Sequence, residues 1–569
     1  MNHVPLDLAI LGGAVFDGEE YIPAPHHVGI RGGRIVIVGE QVEQAIGAST
    51  TVVNAEGKLV HPGLNDSHVH PIEAGMEMLG CDLSDGYTRE DYLSLVRSYV
   101  EQHPEVEWIV GAGWQQAAFP GGTPVKEDLD AICDDRPIII SNRDHHSAWV
   151  NSEALRRCGI DANTPDPSDG RIERHADGEP TGTLHEGARM LALRHAPKPT
   201  IEEMYEGFLV GQRKLLEYGI TSWQDALIGE YGNHSSAFYE VYKEAEKRGD
   251  LVARVNGALW WERAQGVEQI PAFIDRREAV SGGRFRADTV KIMQDGVAEN
   301  QTAAMIEPYL DPACNHRPSD NSGISFVDPE RLCDYVSALD AAGFQVHFHA
   351  LGDRGVREAL DAVQAAREAN GEASTTMHTI AHIQVIDPVD VLRFRELNAS
   401  ANMQPLWASY DPQMVELTVP FLGEERVANQ YPFGSLMRAG SHLSGGSDWP
   451  VTSADPWLGM HVAVNRQMPA DHPDYNERVF LENEKIPLLA ALRAYTLGGI
   501  EVNGRAAEVG RIAPGMLADV VVANRDPFAD VAETISRTAA AIVFVDGALV
   551  YSSTEGRTPP ADFRLSSTD

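Results

Sequence analysis

The stretch LVHPGLNDSHVHP, Leu59 to Pro71, carries two histidines two residues apart, His68 and His70, at the end of a short apolar run. Side chains at i and i+2 of a strand point to the same face. Two imidazoles leaving one strand end together make half of a zinc-type site. Four more residues of ligand type follow in order. Lys291 lies in DTVKIMQDG among Val290, Ile292 and Met293. A buried ammonium is costly unless it is paired or neutralised, and Asp295 offers an ordinary ion pair. His349 ends FQVHFHALGD, with His347 as the alternative core histidine. His382 ends TMHTIAHIQ, with His378 in the same position of doubt. Asp448 ends HLSGGSDWP, where Gly445 and Gly446 permit an unusual backbone. All share one setting, a polar ligand type at the C-terminal end of a short apolar run. In a (β/α)8 barrel such strand ends form the active-site rim. Neutral imidazoles with an oxygen ligand suit Zn2+ and neighbouring divalent ions.

Eight strand-like runs are present to position these residues: VHPGLNDSHVH, GITSWQDA, ARVNGALW, TVKIMQDG, FQVHFHA, HTIAHIQ, LNASANMQP and SHLSGGSDW. They alternate with helix-like segments such as MYEGFLVGQRKLLEYG, PERLCDYVSALDAAG and SLMRAG. The fold class predicted is α/β, a (β/α)8 barrel of the TIM type. Residues 5–58 read as short strands punctuated by Gly-Gly pairs, a hairpin signal. ADVVVANRDP and AAIVFVDGALVYSS repeat that style near the C-terminus. Neither end has strands enough for its own core, so the two are expected to pair as one small β-sandwich. The divisions are then 1–59 and 508–569 for the sandwich and 60–507 for the barrel. An insertion at about 78–200, with apparent strands WIVGAGW and PIIISN, is expected to roof the active site.

The chain has 569 residues, too many for a single compact core. Its net charge of −38, from 84 acidic against 46 basic residues, runs along the whole length. Such a field repels phosphates, so neither nucleic acid nor an anionic membrane is expected as a partner. A small-molecule substrate is expected, and a homodimer stays open. No run of about 20 apolar residues and no secretory leader pattern is seen. Cys81, Cys133, Cys158, Cys314 and Cys333 are odd in number and form no CxxC pair. A reduced, cytoplasmic setting follows, and no cysteine is assigned to metal.

The ordered set HxH, Lys, His, His, Asp resembles the amidohydrolase superfamily. The finer likeness is to its amidohydrolase-3 branch, the YtcJ-like metal-dependent hydrolases, which include N-substituted formamide deformylases. It is carried by PGLNDSHVH, GAGWQQAAFPGGTP, DRPIIISNRDHHSAWVNSEAL, TGTLHEGA, VKIMQDG, HFHALGDRGV, AHIQVID, GGSDWPV, DPWLGMHVAVNRQ and GRIAPGMLADVVVANRDP. The resemblance implies the barrel and the joined ends. It also implies that Lys291 is carboxylated by CO2 to a carbamate that bridges two cations, because a free lysine is protonated at neutral pH. One metal then rests on His68, His70 and Asp448. A second takes His349 and His382, with Lys291 between, so one or two zinc-type ions are expected.

The activity expected is hydrolysis of an amide C–N bond, of N-acyl or N-formyl amine type, by metal-activated hydroxide. Asp448 is the general acid and base. A cyclic amide, an ester or an aminated heterocycle is the alternative substrate. Deaminases of the superfamily often hold one metal and a helper Glu-His pair, and the lysine strand argues against that. A non-catalytic metal-binding regulatory protein is the reading from another class, and a complete ligand set disfavours it. The chain departs from the branch at Gln115, at His185 before Glu186, and at Asp144, His145 and His146. These fall in the roof and bear on substrate identity. His146, Trp114, Trp407 and Trp449 are the expected pocket wall.

Overall fold

The computed structural model describes residues 5–231, 235–312 and 316–553. Eight strands form one parallel sheet in chain order: Leu64–Val69, Ile220–Ile228, Arg254–Trp260, Phe285–Met293, Gln345–Ala350, Thr379–His382, Ser400–Met403 and His442–Gly445. Each of the eight runs read from the sequence falls on one of them. The second, third and fifth are buried at every position. Parallel strands covered on both faces show continuous apolar runs rather than alternation. Just beyond the eighth strand the sheet returns to the first. Asp448 N–H donates to the His68 carbonyl at 2.7 Å, and His70 N–H to that of Trp449 at 2.9 Å. Ser447 N–H donates to the Asp66 carboxylate at 3.0 Å. The contacts that bring the barrel's two ends together thus run through the ligand-type residues themselves.

The helix Pro71–Leu79 begins directly after His70 and crosses the helix Ile201–Glu217 backbone to backbone. A Cβ on Gly75 would stand 1.9 Å from the Gly207 carbonyl, and one on Gly211 would stand 2.1 Å from that of Pro71. Only glycine permits that approach, which fixes where His70 leaves the strand. Thr200 and Glu203 close a capping box on the longer helix.

The strands of the two chain ends, Leu8–Phe16 to Leu59–Pro62 and Val520–Ala523 to Ala548–Ser552, join in one eight-stranded sheet. Leu59–Pro62 is the seam, parallel to Leu8–Phe16 and antiparallel to Val520–Ala523. At the far edge, Ile35 N–H reaches the Met516 carbonyl and Ala518 N–H that of Gly33, both at 2.9 Å. The sheet therefore curls over one apolar core that includes Ile10, Ile30, Val60, Val520 and Phe544. What the sequence suggested as a sandwich is a single folded-over sheet. Residues 554–569 lie outside the described part.

The insertion after the first barrel strand carries its own sheet. Its order is Gly170–Arg174, Pro180–Glu186, Ser147–Val150, Ile138–Asn142, Ile109–Trp114, Cys81–Asp82. WIVGAGW and PIIISN supply two of these strands. Cys81, Cys133, Cys158 and Cys333 are free; Cys314 is outside the described residues. Among those residues no helix is long and apolar enough to cross a membrane.

Candidate metal centre

The C-terminal ends of the barrel strands bring the six predicted residues to one cavity of about 70 Å³, lined by His68, His70, Lys291, His349, His382 and Asp448. His68, His70 and Asp448 can each offer one atom within 4.8 Å of the others. Asp448 Oδ1 lies 3.3 Å from His68 Nε2 and 3.1 Å from His70 Nε2. The His382 ring is 4.7 Å from that of His68 and 4.6 Å from that of His349, centre to centre.

Backbone strain gathers here. His382, Ile383 and Asp448 hold φ of 80°, 47° and 57°, conformations that L residues rarely adopt and that cluster at functional sites. Gly445 and Gly446 are needed for a different reason from the one the sequence suggested, since neither has a left-handed φ. A Cβ on Gly446 would stand 2.8 Å from that of His68, and one on Gly445 would strike the Tyr495 ring. Their role is close approach, and the unusual backbone falls on Asp448 itself.

Burial pushes His68, His347 and His382 well below the usual imidazole range, with help from nearby cationic groups. They are neutral, the form that ligates. Burial works to raise Asp448, but the hydrogen bond from His70 and the charge of its neighbours hold it at about 2. Burial pulls the Lys291 ammonium down to about 7, against the pull of Asp448. Near neutrality much of it is free amine, the form that can react with CO2. The Lys291–Asp295 ion pair considered from the sequence is not formed. Asp295 instead accepts N–H bonds from Ala304, Leu351 and Gly352 and lies 3.5 Å from His349 Nδ1.

These residues fit a divalent ion. Both ring nitrogens of His382 are buried without a hydrogen-bond partner, a cost that ligation would remove. Three carboxylate or imidazole ligands with neutral imidazoles beside them match the donor preference of zinc and its neighbours.

His347, which the sequence left as the alternative to His349, has its own part. Its Nε2 is 2.9 Å from His68 Nδ1, and its Nδ1 is 3.0 Å from the Gln224 amide. A lone pair on His68 Nε2 requires His68 Nδ1–H to donate to His347 Nε2. That leaves His347 Nδ1–H to donate to Gln224, with the amide turned to present its oxygen, the atom otherwise without a partner. Such a partner fixes tautomer and ring orientation, and its loss typically costs about 10–100-fold in metal affinity. His347→Phe should therefore lower zinc affinity by about that factor, read by competition with a chromogenic chelator. Unchanged affinity would remove His347 from the site. His378 instead serves the barrel wall, bonded to Val346 N–H and Asp340.

Of the expected pocket wall, His146, Trp407 and Trp449 line the site. His146 faces the inner cavity with Nδ1 2.8 Å from Glu186 Oε2. Glu186 also accepts from Thr302 Oγ1 at 2.6 Å. Trp407 stacks on His382 with ring centres 5.0 Å apart and 3° between planes. Trp449 lines a larger outer chamber of about 480 Å³, which shares Asp144, Val297, Trp407 and Val451 with the inner cavity. Trp114 does not belong to the wall. It is buried in the insertion's own core, with Nε1 bonded to the Ile140 carbonyl and its ring against Phe119 and Trp149. An apolar ring at a strand end met core before it met the mouth. His145, read from the sequence as a roof residue, lines the inner cavity too, as do Arg189 and Glu73, which the sequence did not single out.

A parallel barrel with histidines, a lysine and an aspartate converging at its C-terminal mouth defines the metal-dependent hydrolase class. The chain belongs to the amidohydrolase family, whose sequence profile matches residues 51–551. It is similar to the YtcJ amidohydrolase of Bacillus subtilis (strain 168), 30% identical over 86% of this chain and 88% of that protein. It is also similar to the N-substituted formamide deformylase of Arthrobacter pascens, 24% identical over 96% of this chain and 99% of the relative. Among solved structures, an uncharacterised metal-dependent hydrolase of Pyrococcus horikoshii OT3 matches with a TM-score of 0.69. That match has 25% identity and covers 92% of this chain and 99% of the other.

Proposed function

We propose that this metal-dependent hydrolase cleaves the C–N bond of an acyclic amide, an N-acyl or N-formyl amine, into a carboxylic acid and an amine. The observation that carries the reading is the convergence of His68, His70 and Asp448 with Lys291, His349 and His382 on one buried cavity. The sets proposed are His68, His70 and Asp448 for one ion, and His349 and His382 for a second, with carboxylated Lys291 shared. Zinc is the proposed metal. A divalent ion held there supplies an acidified water and a Lewis acid for the carbonyl oxygen.

Asp448, ionised down to about pH 2, takes the proton of the attacking water. The water oxygen bonds to the carbonyl carbon, the C–N bond breaks, and Asp448 returns the proton to the leaving nitrogen. His146, held by Glu186, orients the substrate from the roof. The rings of Trp407 and Trp449 exclude water at the mouth. Free cysteines fit a reducing, cytoplasmic setting. The name of the Arthrobacter relative supports the formamide end of this substrate range.

The test is a panel given to the zinc-loaded protein: N-formyl and N-acetyl alkylamines, a cyclic amide, a carboxylic ester and an aminated heterocycle. Acyclic amides should be turned over with kcat/KM at least about tenfold above the rest, the scale that a single pocket contact discriminates. Turnover confined to the ester or the heterocycle would overturn the amide assignment.

A further inference from the structure

The outer chamber is strongly acidic. Asp82, Asp85, Asp144, Glu299, Asp411 and Asp474 line it, against Arg143 and Lys214. Neither cation is within ion-pair distance of Asp144, Glu299 or Asp411 among the described residues, although Arg143 acts on Asp411 and Asp474 through space. Arg143 donates to the Ser84 carbonyl at 2.7 Å and lies over the Tyr87 ring. Lys214 lies over the Tyr218 ring and 3.9 Å from Glu217. The carboxyls crowd one another. Burial, then Asp474 and Glu299, push Asp411 up to about 7, and burial, then Asp144, raises Glu299. Six carboxyls thus outnumber Arg143, Lys214 and His472 in the chamber lining, and the surplus of acidic groups favours a cation there.

A second observation points the same way. Gln384 lies at the end of the sixth barrel strand, two residues after His382, and is 1% exposed. It lines the chamber, and its Oε1 is buried without a hydrogen-bond partner. Its Nε2 faces Glu299 Oε1 at 3.5 Å, and the same oxygen accepts from Thr418 Oγ1 at 2.8 Å. A buried amide oxygen with no donor is costly, and beside it stands a carboxylate with no cation. The group that satisfies both carries N–H donors and positive charge. Trp407 and Trp449 also line the chamber, and indole rings tolerate a neighbouring cation.

We propose that the outer chamber is the subsite for an ammonium-bearing arm of the substrate, seated between Glu299, Asp411 and the Gln384 carbonyl. The preferred substrates are then amides of amines that carry a second, cationic nitrogen. This deepens the hydrolase reading and rests on it, because the chamber opens onto the cavity where the amide would be cut.

The test uses three acetamides of matched length: N-acetyl-1,5-diaminopentane, N-acetyl-5-aminopentanol and N-acetyl-6-aminohexanoate. Turnover is measured on the zinc-loaded protein. Binding is measured by calorimetry on zinc-loaded Asp448→Asn, so that affinity is read whether or not the amide is cleaved. The cationic compound should bind at least about tenfold more tightly than the neutral one, the scale of a charge-assisted hydrogen bond. The anionic compound should bind more weakly still. Raising the salt concentration should shrink the cationic advantage. Glu299→Gln should narrow the ratio of cationic to neutral affinity toward one, and Asp411→Asn serves if that variant misfolds. Equal or better binding of the neutral or anionic compound would overturn the subsite. So would a cationic preference untouched by both substitutions. Binding in the expected order with none of the three cleaved would uphold the subsite and count against the hydrolase reading.

Discussion

Asp448→Asn should lower kcat by about 10²–10⁴-fold, the usual contribution of a positioned acid or base, while KM moves much less. The substitution keeps the shape of the side chain and one oxygen that can still coordinate. What it removes is a group able to accept a proton. In the structure that group lies within 3.3 Å of both His68 Nε2 and His70 Nε2, and its own backbone N–H is tied to the His68 carbonyl. The fold and at least one metal should therefore survive. An interaction used only in the transition state is lost from kcat rather than from substrate affinity. Steady-state kinetics with metal analysis on the same sample checks this. A variant with near wild-type kcat would refute the assignment, and His146, facing the same cavity, would become the next candidate.

The second large effect concerns Lys291. It is 3% exposed in the fourth strand, in register with His347 on the fifth, and burial pulls its ammonium to about 7. As a carbamate it would be an anionic bridge; as alanine it leaves only space. Lys291→Ala should reduce the metal content to one equivalent or fewer. It should also lower kcat/KM by at least about 100-fold, the upper range seen when even an indirect ligand support is removed. Added propionate, which fits the vacated space and brings a carboxylate, should restore part of the activity. A doubly metallated structure with unmodified Lys291 would exclude the bridge.

Most of the site was legible because a barrel turns sequence into geometry. A residue at the end of an apolar strand must reach the same rim as its counterparts, so His68, His70, Lys291, His349, His382 and Asp448 could be read without knowing any contact. The eight strands were legible as short runs alternating with helix-like segments. What escaped depends on tertiary approach. His347 points inward like His349, and only the position of His68 across the barrel shows that the two rings meet. Trp114 ends a strand as the ligands do, but that strand belongs to the insertion's sheet and its ring turns into that sheet's core. Glu299 and Gln384 come from different loops and had no common motif to announce them. The curled sheet of the chain ends was foreseen as a pairing but not as one continuous surface, because register between distant segments leaves no local trace.

Metal dependence is the claim on which the rest stands, and removal and return of the metal test it most directly. Protein as purified should carry about one to two equivalents of divalent metal, zinc foremost, as the donor set implies. Dialysis against a chelator should abolish amide hydrolysis without unfolding the chain, and zinc with bicarbonate should restore it better than zinc alone. Full hydrolytic activity in protein shown by elemental analysis to be free of metal would contradict the account.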